Sequence, residues 1–271
     1  MKPERCASRL SSKGFTLAEL AIVLVIVALL TSGLLISLSA QQEAHRINSA
    51  EKQLQEINDA LLGFAAAQGR LPCPATNATL GTEALCSNAA DASPANNACG
   101  AVTTPELLPA VLIHGRCAAP LDGFLPAATL GLRPVNDQGQ LIDAWNNPVR
   151  YAITTSQDGT TFKYSYSSSN GMRDSGLANL QPSLTVCSRL QSAAACATNA
   201  TLTSTAVAVY FSSGKTNSNG TDEAANRDGN TIFVSHTPTP AGAPNGEFDD
   251  LVVWLSPNIL YNRMIAAGRL P

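Results

Sequence analysis

Charge is scarce in this chain: Asp, Glu, Lys and Arg make up 14% of its 271 residues, against roughly a quarter in average domains. Ala, Ser, Thr and Asn fill the gap, as they do in many exported proteins and in subunits that pack against copies of themselves. With 17 basic and 20 acidic residues the formal net charge is -3, so bulk electrostatics offer no case for nucleic-acid binding. Catalytic signatures are missing too. No G-x-S-x-G, H-E-x-x-H or G-x-G-x-x-G occurs. Gly214-Lys215-Thr216 has the outline of a phosphate-loop ending, but the first glycine such a loop requires falls on Val209, inside the most apolar segment. Ser212-Ser213-Gly214-Lys215 fits Ser-x-x-Lys without its partner motifs, since Thr216-Asn217 follows. A hairpin turn rich in Ser and Gly explains both. There is no C-x-x-C, His45 and His236 lie far from any cysteine, and His114 stands near Cys117 alone, which argues against zinc.

One absence is itself a signal. From Leu20 through Gln42 no residue carries a formal charge, and about 20 helical residues suffice to cross a hydrocarbon core of ~30 Å. Lys2, Arg5, Arg9 and Lys13 against the single Glu4 precede this run, an excess that holds the N-terminus in the cytoplasm. Glu19 is the anomaly. A carboxylate at the edge of hydrocarbon costs on the order of 2 to 3 kcal/mol and usually marks a specific partner. A secretory signal with its small-x-small site at Ser37-Leu38-Ser39, before Ala40, is disfavoured by the length of the apolar run. A lipoprotein is disfavoured because Cys6 precedes the helix.

The octet Lys13-Gly14-Phe15-Thr16-Leu17-Ala18-Glu19-Leu20 resembles the processing site of type IV prepilins and type II secretion pseudopilins. The resemblance implies cleavage between Gly14 and Phe15 by the prepilin peptidase, N-methylation of the new Phe15 amine by the same enzyme, and a helix retained in the inner membrane. It also gives Glu19 a role: pairing with the amino terminus of a neighbouring subunit during filament assembly, so that opposite buried charges compensate. The bland alternative is a glutamate that snorkels or stays protonated. Removal of the leader takes 4 basic residues and 1 acidic one, leaving 13 and 19, a formal charge of -6 on the mature chain. Abundant subunits of the family commonly carry a proline within the apolar helix, whereas none lies between Phe15 and Leu71 here. Together with a head of about 200 residues, large for a shaft subunit, this favours a minor subunit. Glu19 argues against the glutamate-free tip subunit of secretion pseudopili.

Removal of the leader also takes Cys6, leaving Cys73, Cys86, Cys99, Cys117, Cys187 and Cys196, an even set in an oxidising compartment. Cys187 with Cys196 is the expected pair, because they bracket the short segment Ser188 to Ala195. The other four pair either nested, as Cys73–Cys117 and Cys86–Cys99, or sequentially.

The expected architecture is α+β and pilin-like: a long N-terminal helix, half transmembrane and half amphipathic, packed on an antiparallel β-sheet head. Residues 1–14 form the cytoplasmic leader, 15–40 the transmembrane and assembly helix, 41–69 its amphipathic continuation, and 70–271 a periplasmic or extracellular disulfide-containing head. Ile47, Ala50, Leu54, Ile57, Leu61 and Phe64 recur at spacings of three and four, and Gly69 with Pro72 supplies the stop. Residues 70–135 read as loops, with Leu107 to Ile113 as an apolar island. Asp143-Ala144-Trp145-Asn146-Asn147-Pro148-Val149-Arg150-Tyr151 resembles the Asp-x-Trp-Gly-x-Pro-x-x-Tyr lead-in to the sheet of pilin and pseudopilin heads, with Asn146 in place of the glycine because Asn tolerates a left-handed turn. Strands are expected at Val149–Thr154, Thr161–Ser167, Leu184–Ser188, Thr205–Ser212, Thr231–Ser235 and Leu251–Leu255. Val207 to Phe211 suits a central strand covered on both faces. A last helix starts at Ser256-Pro257, with Ile259, Leu260, Met264 and Ile265 as its apolar face.

Late oxygen-donor residues, Asp222, Glu223, Asp228, Asn230, Glu247, Asp249 and Asp250, are of the type that binds Ca2+. Asp228, Asp249 and Asp250 are the weak candidates; solvated turn carboxylates are the alternative, and no cofactor is otherwise expected. Asn77, Asn199 and Asn219 sit in N-x-Thr sequons, relevant only in a glycosylating host. The reading that follows is a filament subunit, not an enzyme, whose partners are the prepilin peptidase, other pilin or pseudopilin subunits and the inner membrane, without nucleic acid. Its rival is a single-pass, membrane-anchored periplasmic enzyme or binding protein.

Overall fold

The structure, a computed structural model, describes residues 16–86, 115–155, 164–192, 195–216 and 220–271, without the side chains of 31–39. The expected strand at 161–163 and the apolar island at Leu107–Ile113 lie outside these residues. The chain divides after Arg46 into two units, Met1–Arg46 and Ile47–Pro271. One helix, α1 (Leu17–Gln68), contributes to both.

In the second unit Ala50, Leu54, Ile57 and Leu61 of the expected stripe are buried, whereas Ile47 and Phe64 at its two ends are only half-buried. Gly69, at φ 73°, ends α1 in the left-handed conformation and donates its N–H to the Ala65 carbonyl at 2.8 Å. Arg269, from the end of the chain, donates to the Ala66 and Ala67 carbonyls that the helix end leaves without partners.

The stripe packs on a four-stranded antiparallel sheet in the order β1 (Gly123–Phe124), β2 (Arg150–Ile153), β7 (Ala208–Ser212), β9 (Leu251–Leu255). Every residue of β7 is buried. Ala208 and Tyr210 join Leu54, Ile57 and Leu61 in the core on the helix side. Val209 and Phe211 join Leu184, Val186, Ala206 and Phe233 on the other. That second layer is a three-stranded sheet in the order β6 (Thr201–Ala206), β3 (Leu184–Cys187), β8 (Ile232–Val234). A two-stranded ribbon pairs β4 (Leu190–Ser192) with β5 (Ala195–Cys196).

The α+β, pilin-like class is therefore observed, with corrections in detail. The expected strand Thr205–Ser212 is two strands in different sheets. Between them Val207 donates its N–H to Leu255 and accepts from Thr154, both at 2.9 Å, which moves the chain from one layer to the other. Strand β3 pairs antiparallel with β6 but parallel with β8, so the small sheet is mixed. Residues 165–167 form a turn, and none of 164–167 is in a strand. Helix α1 starts at Leu17, two residues later than expected. In the last helix, α5 (Pro257–Ala266), only Leu260 and Met264 are buried, while Ile259 and Ile265 are exposed. A four-residue step places the first pair on one side; the second pair flanks it.

Candidate functional site

The N-terminal site is built on the first turn of α1. Gly14 and Phe15 lie outside the described residues; Glu19 is described. Its Oε2 accepts the Thr16 N–H and the Thr16 hydroxyl, each at 2.9 Å, while the Glu19 N–H donates back to Thr16 Oγ1 at 3.2 Å. This is a capping box, in which Thr at the N-cap and Glu three residues later satisfy two otherwise orphaned donors. It explains why the helix starts at Leu17, and the pattern Thr16-x-x-Glu19 is its signal in the sequence. Beyond it Leu20, Ile22, Val23, Leu24, Val25, Ile26, Leu29 and Leu30 are all exposed, so the apolar surface continues around the helix instead of forming one stripe. A helix apolar all round is made for lipid or for the interior of an assembly. Among the described residues no helix is long and apolar enough to cross a membrane; residues 31–39, inside the expected span, have no described side chains.

The head is pinned by two disulfides, Cys73–Cys117 and Cys187–Cys196. The second is the pair expected from spacing; it ties the end of β3 to β5. The first agrees with the nested arrangement and excludes the sequential one. Cys86 is also disulfide-bonded, and Cys99, its partner in the nested scheme, lies outside the described residues. Next to Cys73, Arg70 makes a bidentate pair with Glu83, at 2.7 and 2.6 Å, and Glu83 Oε2 also accepts the Cys73 N–H at 3.1 Å. Both side chains are largely removed from solvent.

The lead-in to the sheet is organised by Asp143. Its Oδ1 accepts the N–H groups of Trp145 and Asn147, and its Oδ2 accepts the Ser212 hydroxyl at 2.5 Å. Burial holds its carboxyl above the ordinary range in spite of these donors. Asn146 has φ 66°, the left-handed conformation expected of it, and the Asn147 amide donates to the Gly214 carbonyl at 2.7 Å. The Asp-x-Trp segment is thus a structural clasp between the start of β2 and the end of β7.

Of the calcium candidates, the fold brings together Asp249 and Asp250 with Glu223, each with a carboxylate oxygen within 4.8 Å of the others. Glu223 comes from the short helix α4 (Thr221–Ala225). Asp228 is elsewhere: its oxygens accept the Asn230 N–H and side-chain amide in a local turn. Asp249 Oδ2 accepts from the backbone of Lys215 and Thr216 and from the Thr216 hydroxyl. Asp249 N–H donates to Glu223 Oε1, and Asp250 accepts from the Asn226 amide at 2.7 Å. Burial, aided by the neighbouring Glu223 and Asp249 charges, pushes the Asp250 carboxyl up to about 7. Three carboxylates are a donor set of the hard type that calcium takes. They equally form a hydrogen-bonded network that ties α4 to β9.

A long helix on an antiparallel sheet, with apolar side chains exposed between Leu17 and Leu30, defines a pilin-like arrangement. Residues 9–35 match the prokaryotic N-terminal methylation motif, the signal of type IV prepilins and pseudopilins. No curated protein and no solved structure gives a match to the chain.

Proposed function

We propose that the chain is a minor subunit of a type IV pilus-like or type II secretion filament, acting by assembly and not by turnover. The methylation motif points to a pilin-like or pseudopilin precursor and implies processing by prepilin peptidase and association with other pilin subunits. The observation that carries the reading is the sequence of features on one helix: the motif, Glu19 at its first turn, and then apolar side chains exposed all round. In this reading cleavage falls between Gly14 and Phe15 and methylation on Phe15. The helix sits once across the inner membrane, N-terminus cytoplasmic and head periplasmic, with the uncharged residues 31–39 completing the span. On assembly the apolar surface passes from lipid to neighbouring helices, and Glu19 sets registry by pairing with a neighbouring Phe15 amine.

The head needs no catalytic cofactor for this role. Its cation chemistry resides in Glu223, Asp249 and Asp250; a rise in melting temperature with millimolar Ca2+ assigns them an ion, and no rise leaves them a structural network.

Mass spectrometry of sheared surface filaments and of inner membranes from a native host tests the main proposal. It expects a peptide beginning at methylated Phe15, at low abundance relative to other pilin-like peptides. A chain that keeps residues 1–14 in the presence of active prepilin peptidase defeats the reading.

A further inference from the structure

The geometry points to the open edge of β9 as a docking site for an extended, cationic strand of another polypeptide. Strand β9, Leu251-Val252-Val253-Trp254-Leu255, is the last of its sheet, bonded to β7 on one side only. Its register against β7 runs unbroken over all five residues. The strand itself contains no Lys and no Pro, the residues that normally blunt an exposed edge.

Leu255 accepts the Val207 N–H, so its backbone faces β7. Backbone direction alternates along a strand, which turns the N–H and C=O groups of Val252 and Trp254 toward the open side. None of those four groups bonds to another strand among the described residues.

The side chains carry the second argument. Leu251 and Val253 pack toward the helix-side core, while Val252 and Trp254 pack toward the core between the sheets. All four are half-buried. A strand apolar on both faces is the pattern of a sheet interior, yet this one lies at the margin with both faces incompletely covered. One more strand would finish both.

The third argument is space and charge. A groove of ≈ 740 Å³ runs beside β9 and is walled by α1 and the start of α5. Glu51 and Asp59, both exposed on α1, place carboxylates along it, and among the described residues no Lys or Arg lines it. An incoming strand would therefore add backbone hydrogen bonds to Val252 and Trp254, apolar contacts on alternate residues, and Lys or Arg opposite the α1 carboxylates. A second copy of this acidic chain meets that charge requirement poorly.

The test uses the full chain in detergent micelles, titrated with the peptide KVKVTVK. Controls are EVEVTVE, with reversed charge, and KVKPTVK, in which proline interrupts the strand at unchanged charge. Hydrogen exchange, read by mass spectrometry with residue resolution, is expected to slow about tenfold at the Val252 and Trp254 amides and not at Val253. Both controls are expected to leave the pattern unchanged. The variant Glu51→Gln with Asp59→Asn, at two exposed positions, is expected to weaken peptide binding about fivefold at low salt. Absence of slowing at Val252 and Trp254 overturns the inference, as does equal slowing by the proline peptide. Slowing that follows protein concentration without peptide overturns the choice of occupant and gives the edge to a second copy.

Discussion

Glu19 Oε2 is shared between the backbone N–H and the hydroxyl of Thr16, so the glutamate that the assembly reading needs is also the lock on its own helix start. The two roles separate by substitution. Glu19→Gln keeps a capping-box acceptor and loses the charge; the expected result is a helix that still starts at Leu17 and a subunit absent from filaments. Thr16→Ala removes the N-cap acceptor at a cost of about 1 kcal/mol, expected as faster exchange at the Leu17 to Glu19 amides. If the Glu19→Gln subunit enters filaments at the wild-type level, charge pairing is not its role.

The Arg70–Glu83 pair sits beside Cys73 and is largely withdrawn from water. Glu83→Ala strands a guanidinium and the Cys73 N–H, and is expected to cost about 3 to 5 kcal/mol. The double change Arg70→Met with Glu83→Leu is expected to cost far less, because neither charge is then left alone. Urea unfolding of the three variants measures the difference.

The disulfides differ in the loop they close. Cys73–Cys117 spans a separation of 44 residues and Cys187–Cys196 a separation of 9. Loop-closure entropy then predicts a loss of about 4 kcal/mol for the first when both cysteines become Ser, and about 3 kcal/mol for the second. Thermal unfolding under non-reducing conditions is expected to rank them in that order.

At Asn146 the positive φ of 66° sets the substitution pattern. Asn146→Gly is expected to be neutral, and Asn146→Val to cost about 1 to 2 kcal/mol. The side chain is exposed, so lost packing does not confuse a comparison of melting temperatures.

Asp250 gives the head a definite pH response. Its carboxyl titrates near the ordinary 3.8 when unfolded and at about 7 when folded, so between these values the folded state binds the extra proton. Stability from this group is complete below the unfolded value and is lost as pH rises toward 7, on the order of a few kcal/mol. With a chelator present, Asp250→Asn is expected to remove that slope, measured as unfolding free energy from pH 4.5 to 8.

Much of this architecture was legible in local sequence. The processing octet, the stripe on α1 and the Cys187–Cys196 pair all rest on neighbours close along the chain, where spacing alone places side chains on one face or within bonding reach. Asn146 belongs with them, since its φ answers to its own turn. Only tertiary structure decided that Val207 breaks one apolar run into two strands, because which sheet each half joins depends on Leu255 and Thr154 and not on the run itself. It decided the parallel pairing of β3 with β8, where an antiparallel head was expected, and replaced Asp228 with Glu223 beside Asp249 and Asp250. Composition named the carboxylates; their convergence depends on where a helix and a strand end, and that is fixed by contacts between residues far apart in the chain.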